Sequence, residues 1–232
     1  MEFLGVACEC HVDVCSSKGL LSGAIAFLTK EQRLIDCRHQ QVLISETLLK
    51  CRVLNGAEFI VVVEKDAAFQ KMIDDGFFEC FPGSILVTGR GYPDLCTRKM
   101  MRWLVDQLSV PLYGLFDSDP HGQDCYVKQI QWLGFKPSEV HNLPVASNQY
   151  IKLSNRDFVK IRKLRRRAQA LGEQNVVVEL DILCSLRSKL ELEALSSIAP
   201  QFIVRMYLLP RLKDVLESHR TIKLSTEPEE ET

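Results

Sequence analysis

The chain has 232 residues, 46% of them hydrophobic and 25% charged, with a formal net charge of -1. That is enough for one large or two small domains with a substantial core, at an ordinary globular composition. The charge balance excludes nucleic-acid binding by bulk charge, so any such contact needs a local basic surface.

The first residues, Met1 to Ala7, carry an acid at Glu2, no basic start and too short an apolar run for a signal peptide. Leu4 to Val14 reads as a strand, Ser16 to Gly19 as a turn, and Leu20 to Leu28 as a second strand. Lys30-Glu31-Gln32-Arg33 has the polarity of a hairpin tip, and Gln41 to Leu54 is patterned as a helix. Phe59 to Val63 is apolar at every position, as expected of a parallel strand buried on both faces. Ala67 to Glu79 then carries a near-helical stripe, Ala68, Phe69, Met72, Ile73 and Phe77. Ser84 to Gly89 is another buried-type strand. Asp94 is placed to cap a helix over Leu95 to Leu108, with Cys96, Met100, Trp103, Leu104 and Leu108 on one face. Pro111 to Phe116 is a third apolar run, and Ile130 to Leu133 a short return strand. This alternation predicts parallel strands with right-handed helical crossovers.

Beyond Phe135 the pattern turns helical. Ser154 or Asn155 caps a predicted helix to about Gly172, and Val176 to Ile198 gives a longer stripe through Leu180, Leu183, Leu190 and Ala194. Phe202 to Leu216 is a last helix, interrupted near Pro210. The acidic end, Glu227 to Thr232, lacks apolar residues and reads as disordered. No run approaches the length of a membrane span, and the chain reads as soluble and intracellular. The nine cysteines are scattered and form no Cys-x-x-Cys pair, which argues against a disulfide framework or zinc site and for a reducing compartment.

Two acidic clusters end apolar runs: Glu64-Lys65-Asp66 after the first, and Asp117-Ser118-Asp119-Pro120-His121-Gly122 after the third. Buried carboxylates are costly unless paired or metal-bound, so Glu64, Asp117 and Asp119 are expected at strand ends. The carboxyl edge of such a sheet is where ligands bind. Three carboxylates there make a hard-oxygen site suited to Mg²⁺. In the Gly89-Arg90-Gly91-Tyr92-Pro93-Asp94 turn, Arg90 has two readings, a phosphate contact near a helix start or an ordinary strand-to-helix turn. The basic run Lys160, Arg162, Lys163, Arg165, Arg166 and Arg167 likewise reads as a phosphate-contacting helix face, a nuclear import signal or a solvated surface.

Glu64 after one strand with Asp117-Ser118-Asp119 after a later one resembles the Toprim module of topoisomerases, primases and some nucleases. Val63-Glu64-Lys65-Asp66-Ala67-Ala68-Phe69, Thr88-Gly89-Arg90-Gly91-Tyr92-Pro93-Asp94, Thr97-Arg98, the Asp117 to Gly122 string and Trp132-Leu133-Gly134 narrow it. Together they resemble the A-type chain of topoisomerase VI and its meiotic double-strand-break relative, the Spo-eleven family, over roughly Phe3 to Leu212. Lys189 to Ser196 is similar to that family's C-terminal Lys-x-Glu-hydrophobic-x-Ala-Leu string. The segment Gln123 to Gln131 is shorter than the family pattern.

The resemblance implies an α/β fold: a linking β/α segment at 1–56, a Toprim core at 57–135 (a Rossmann-like parallel sheet with flanking helices), a helical C-terminal region at 136–220 and a disordered acidic tail at 221–232. It implies a Mg²⁺ site at Glu64, Asp117 and Asp119, with Glu64 also a candidate for proton transfer. DNA contacts are expected from Arg90, Lys160, Arg162, Lys163, Arg165 and Arg166. The implied chemistry is tyrosyl transesterification that breaks both DNA strands, in meiotic recombination or topology change, within an ATP-hydrolysing type II enzyme. Implied partners are duplex DNA, a second copy of the chain and a B-type ATPase subunit, in the nucleus. The family's nucleophilic tyrosine lies in an upstream winged-helix domain, and none of Tyr92, Tyr113, Tyr126, Tyr150 or Tyr207 sits in such a string. The chain alone is therefore expected to be inactive for cleavage. A stand-alone Toprim protein and a non-catalytic DNA-binding form are the alternatives.

Overall fold

Two neighbouring runs of the early chain feed different sheets. In the computed structural model, which describes residues 17–120 and 130–226, Leu20–Gly23 (β1) and Ile25–Leu28 (β2) are split by a bend at Ala24. The expected single strand over Leu20 to Leu28 is therefore two. β2 forms a hairpin with Leu34–Asp36 (β3), closed at its tip by Thr29 N–H donating to the Arg33 carbonyl. The strand expected at Leu4 to Val14 lies outside the described residues.

Gln41 to Leu54 is not a helix. It contains Val42–Leu43 (β4), a 3₁₀ turn at Leu48–Lys50 and Arg52–Asn55 (β5), which pairs antiparallel with β2. Ile44, Leu48 and Cys51 are buried at a spacing that imitates a helical stripe. The pairing of β5 with β2, far upstream in the chain, decided the conformation.

The main sheet is built on Phe59–Val63 (β6), Ser84–Thr88 (β7), Leu112–Leu115 (β8) and Ile130–Gly134 (β9). Among the described residues it has six strands, ordered β4-β1-β7-β6-β8-β9. β7, β6, β8 and β9 run parallel, as expected, and β1 and β4 add antiparallel strands at one edge. Residues before 57 thus contribute two strands to the same sheet. The return strand β9 forms as expected.

Every residue of β6, β7 and β8 is buried, because both faces of the sheet are covered. On one face Phe59, Val61, Val63 and Tyr113 meet Asp66–Asp74 (α1), Phe77–Cys80 (α2) and the C-terminal region. On the other, Ile60, Val62, Ile85 and Val87 meet Phe27 of β2 and Leu95–Leu108 (α3). The stripe expected over Ala67 to Glu79 is broken between α1 and α2 at Gly76, whose φ of 82° ends the helix. Burial pushes the Cys37 thiol up to about 12, in keeping with a cysteine acting as a small hydrophobe.

Asp94 caps α3 as expected. Its Oδ1 accepts from Thr97 N–H at 2.9 Å, and Oδ2 accepts from Thr97 Oγ1 at 3.0 Å and from Lys18 N–H at 3.2 Å. Asp94→Ala is expected to cost about 2 kcal/mol, the upper range for a cap, because it also releases the Lys18 segment. Urea denaturation of the two proteins measures this.

In the C-terminal region Ser154 caps Asn155–Ala170 (α4) through a reciprocal capping box with Asp157. Gln174–Leu186 (α5) packs against α4 through Ile161, Ala168, Val177, Leu180 and Leu183. The long helix expected over Val176 to Ile198 stops at Leu186, with Arg187 left-handed. Ile151–Lys152 (β10) pairs with Ser188–Lys189 (β11), which is followed by the short helix Glu193–Ser196 (α6). Leu190, Leu192 and Leu195 join the core over the main sheet instead of the α4–α5 contact, and that burial breaks the helix. A π-helical stretch, Phe202–Leu208, leads into Leu209–Thr226 (α7). α7 thus runs into the stretch expected as a tail, and residues 227–232 lie outside the described residues.

Candidate metal and phosphate site at the carboxyl edge of the sheet

β6 and β8 are adjacent and parallel, with Val63 level with Leu115. The chain leaves β6 at Glu64 and leaves β8 through Phe116 to Asp117, so the acids emerge side by side. On the far side of β6 is β7, with Thr88 level with Val63. The turn after β7 folds back over Glu64: its carbonyl accepts from Gly91 N–H at 2.7 Å and from Thr88 Oγ1 at 3.3 Å. That turn needs a left-handed pair, Arg90 at φ 54° and Gly91 at φ 89°. Gly91 is thus explained by the support this turn gives Glu64, while a Cβ at Gly89 would stand 2.9 Å from Pro93. The Arg90 side chain pairs with Asp66 at 3.4 Å and stays at the same edge.

Asp117 and Asp119 are placed at a strand end, as expected, but not in the open. Both are buried, Asp117 against the segment after β11 and Asp119 near Lys189 of β11. Ser118 and Leu190 form an antiparallel bridge with N–H···O distances of 2.9 and 3.2 Å. Leu192 N–H donates to Asp117 Oδ1 at 2.8 Å. Lys65 Nζ lies 2.9 Å from Asp117 Oδ2 and also reaches Glu191 at 3.2 Å and Glu193 at 3.4 Å. Lys189 Nζ stands 4.0 Å from Asp119 and 3.4 Å from Asp157 at the start of α4. Buried carboxylates persist here because backbone N–H groups and lysines meet them.

The electrostatics register three acids close together. Burial, then the charges of Asp117 and Asp119, pushes Glu64 up to about 7, against the pull of the Asp117 backbone and Lys65. Burial also raises Asp117, offset by Leu192 N–H and Lys65. Burial opposes the Lys65 charge, yet its contacts with Asp117, Glu193 and Glu191 outweigh that and raise its pKa. Among the described residues no three His, Cys, Asp or Glu side chains close into a ready metal cage. The donors nevertheless fit a hard dication in one respect. Glu64 Oε2 is buried with no hydrogen-bond partner, and the Asp117 and Asp119 carboxylates are close enough to raise the Glu64 pKa. Mg²⁺ commonly takes one or two protein carboxylates and keeps several waters, so Glu64 with one aspartate suffices.

A family profile for the Toprim domain shared by Spo11 and the A-type chain of topoisomerase 6 matches residues 59–128 and 123–212. The chain belongs to this family. Similar relatives include the "Meiotic recombination protein spo-11" of Caenorhabditis elegans, 37% identical over 216 residues, covering 85% of this chain and 51% of that protein. The human "Meiotic recombination protein SPO11" is 31% identical over 219 residues, with 85% and 55% covered. The A3-type chain of DNA topoisomerase 6 from Oryza sativa subsp. indica is 30% identical over 225 residues, with 88% and 50% covered. The chain spans about half the length of these relatives. The two matched stretches overlap at 123–128.

In this Toprim chain the expected basic run does not form one surface. Arg165 turns to α5 and pairs with Asp181 at 2.7 Å and 3.2 Å. Lys160 and Lys163 line a groove of about 430 Å³ with Arg156, Arg167 and the apolar Val159 and Leu164. Arg162 and Arg166 are exposed outside that groove lining. The four groove cations follow a 4-3-4 spacing, so they fall on one helical stripe. That spacing is the signal for Arg156, which lies before the basic run that starts at Lys160. Of the tyrosines, Tyr113 and Tyr207 are buried, Tyr92 is exposed and Tyr150 half-buried, while Tyr126 lies outside the described residues. No helix among the described residues is long and apolar enough to cross a membrane.

Proposed function

We propose that this chain is the magnesium-binding Toprim part of a protein that breaks both strands of duplex DNA. The observation that carries the reading is the placement of Glu64 and Asp117-Ser118-Asp119 at the ends of adjacent parallel strands, within a Spo11/topoisomerase VI match. Glu64 and Asp117 are the primary ligands, and Asp119 is a further ligand or anchors a water. Bound Mg²⁺ supplies positive charge beside the scissile phosphate.

The protein side of the reaction is a transesterification. A tyrosine hydroxyl gives up its proton to solvent as its oxygen attacks the phosphorus and joins the 5′ end. The bond to the 3′ oxygen breaks, and that oxygen leaves as a hydroxyl after taking a proton. Glu64 is the candidate for that proton transfer; its carboxyl is pushed up to about 7 in the metal-free chain. None of the five tyrosines lies in the family's winged-helix string, so the nucleophile is assigned by resemblance to a winged-helix domain; Tyr113 and Tyr207 are moreover buried. Arg90 at the sheet edge and the α4 stripe of Arg156, Lys160, Lys163 and Arg167 are the DNA contacts. Arg162 and Arg166 are exposed and are further candidate contacts, whereas Arg165 pairs with Asp181. A second copy of the chain and a B-type, ATP-hydrolysing subunit complete the assembly, which acts in the nucleus in meiotic recombination or topology change.

The test is Mg²⁺ titration calorimetry beside a duplex-DNA mobility shift, on the chain and on Glu64→Gln and Asp117→Asn. Mg²⁺ binding is expected to fall at least about tenfold in each variant, with DNA affinity in chelator held within about twofold. Unchanged Mg²⁺ binding overturns the metal assignment. Metal-dependent nicking that leaves no protein on the DNA would favour a stand-alone Toprim enzyme. DNA binding with no Mg²⁺ binding would favour a non-catalytic form.

A further inference from the structure

We propose that Lys65 is the exchangeable counter-cation of the acidic site: it holds Asp117 until a divalent cation takes that carboxylate, then passes to Glu191 and Glu193. The inference rests on the metal reading of Glu64 and Asp117 given above. Its own basis is the set of contacts made by one ammonium group. Lys65 Nζ is 2.9 Å from Asp117 Oδ2, 3.2 Å from Glu191 Oε2 and 3.4 Å from Glu193 Oε2.

The three acids are not equivalent. The Asp117 side chain is 2% exposed, whereas those of Glu191 and Glu193 are 47% and 40% exposed. A buried carboxylate without a cation carries a heavy desolvation cost, so Asp117 needs one at all times. The two glutamates keep water and can accept or release a lysine with little change in free energy. Oδ1 of Asp117 is already held by Leu192 N–H at 2.8 Å. Oδ2 is therefore the oxygen for which Lys65 and a dication compete. An ammonium and a dication on that one oxygen repel each other, so arrival of the dication moves the lysine.

The receiving acids are set in place by the backbone. Glu191 and Glu193 flank Leu192, whose N–H clamps Asp117, and Leu190 is bridged to Ser118 on both sides. Donor and receiver carboxylates are thus carried by two strands of chain locked together. The lysine needs only to turn about its own side-chain bonds, which Lys does easily. Lys65 also directly follows Glu64, so it cannot drift from the site when it lets go. The Lys-x-Glu-x-Glu pattern from Lys189 to Glu193, far downstream of the Asp117 cluster, gains a role in this way.

The test is calorimetric titration of Mg²⁺ alone into the full chain at constant pH, without DNA. Lys65→Met is expected to bind Mg²⁺ about tenfold more tightly, because the competitor is gone. The double variant Glu191→Gln with Glu193→Gln is expected to bind it about fivefold more weakly, because the lysine stays on Asp117. A general field effect gives the same two signs, so the triple variant decides. In the Lys65→Met background the two glutamate changes should alter affinity by less than about twofold. A full additive loss there, or weaker binding by Lys65→Met, overturns the exchange. Should Lys65→Met fail to fold, Lys65→Gln keeps a hydrogen bond to Asp117 without the charge and replaces it in the cycle. Equal binding by wild type and Lys65→Met, with binding lost in Glu64→Gln, sinks the exchange and leaves the metal reading standing. Absence of binding in every variant overturns the metal reading and the exchange together.

Discussion

Glu64→Gln should stabilise the folded chain by about 3 kcal/mol at pH 8 in the presence of a chelator, and hardly at all near pH 4. The reason is the carboxyl pKa, raised from 4.5 to about 7 by burial and by Asp117 and Asp119. A folded-state pKa above the unfolded one means that the native state holds the extra proton between those values. Stability attributable to Glu64 is then fully present below about 4.5 and is lost as pH rises to about 7. A span of roughly 2.5 units at about 1.4 kcal/mol each gives the expected figure. Gln has the same shape and no charge to lose. Urea denaturation of both proteins at the two pH values measures the effect. An equal difference at both values, or a loss at pH 8, would show that Glu64 is not strained by its neighbours. Adding Mg²⁺ at pH 8 should reverse the ranking, since only the wild type gains from ligation. A residue that weakens the fold while serving the site is the usual mark of function over stability.

The second large effect is on structure. Gly134→Ala should cost about 3 kcal/mol, because the new methyl has no room. A Cβ at Gly134 would stand 1.9 Å from the Tyr207 hydroxyl oxygen and 2.8 Å from its ring. Tyr207 cannot retreat. It is buried, its hydroxyl donates to Glu139, its ring meets Phe135 edge-on, and Arg211 lies 3.7 Å over its face. The Gly134 carbonyl accepts from Phe116 N–H, next to Asp117, so the strain would reach the acidic site. Tyr207→Phe should relieve part of the cost in the double variant, by removing the oxygen nearest the methyl. Full additivity in that cycle, read by thermal or urea unfolding, would place the strain elsewhere.

Legibility in the sequence followed the range of the interaction. Phe59 to Val63, Ser84 to Thr88 and Leu112 to Leu115 were readable as buried strands because both sheet faces are covered and every side chain must be apolar. α3 was readable because its cap, Asp94 to Thr97, is local. Gln41 to Leu54 was misread because Ile44, Leu48 and Cys51 mimic a helical stripe while the backbone is claimed by β2. Val176 to Ile198 was misread for the converse reason. Its apolar residues belong to two cores, and periodicity does not say which partner each one meets.

The site divides in the same way. Sequence by itself determined the family, the parallel strands, and the position of Glu64, Asp117 and Asp119 at strand ends, because a carboxylate cannot stay inside a dry strand. Tertiary structure alone decided that Asp117 is covered by the Leu190 to Glu193 segment, that Lys189 stands by Asp119, and that Lys65 bridges Asp117 to Glu191 and Glu193. It also decided that Arg165 faces Asp181 while Arg156 joins the basic groove. These pairings join residues 16 to 128 positions apart, and charge partners at such separations are chosen by packing, which no local pattern records.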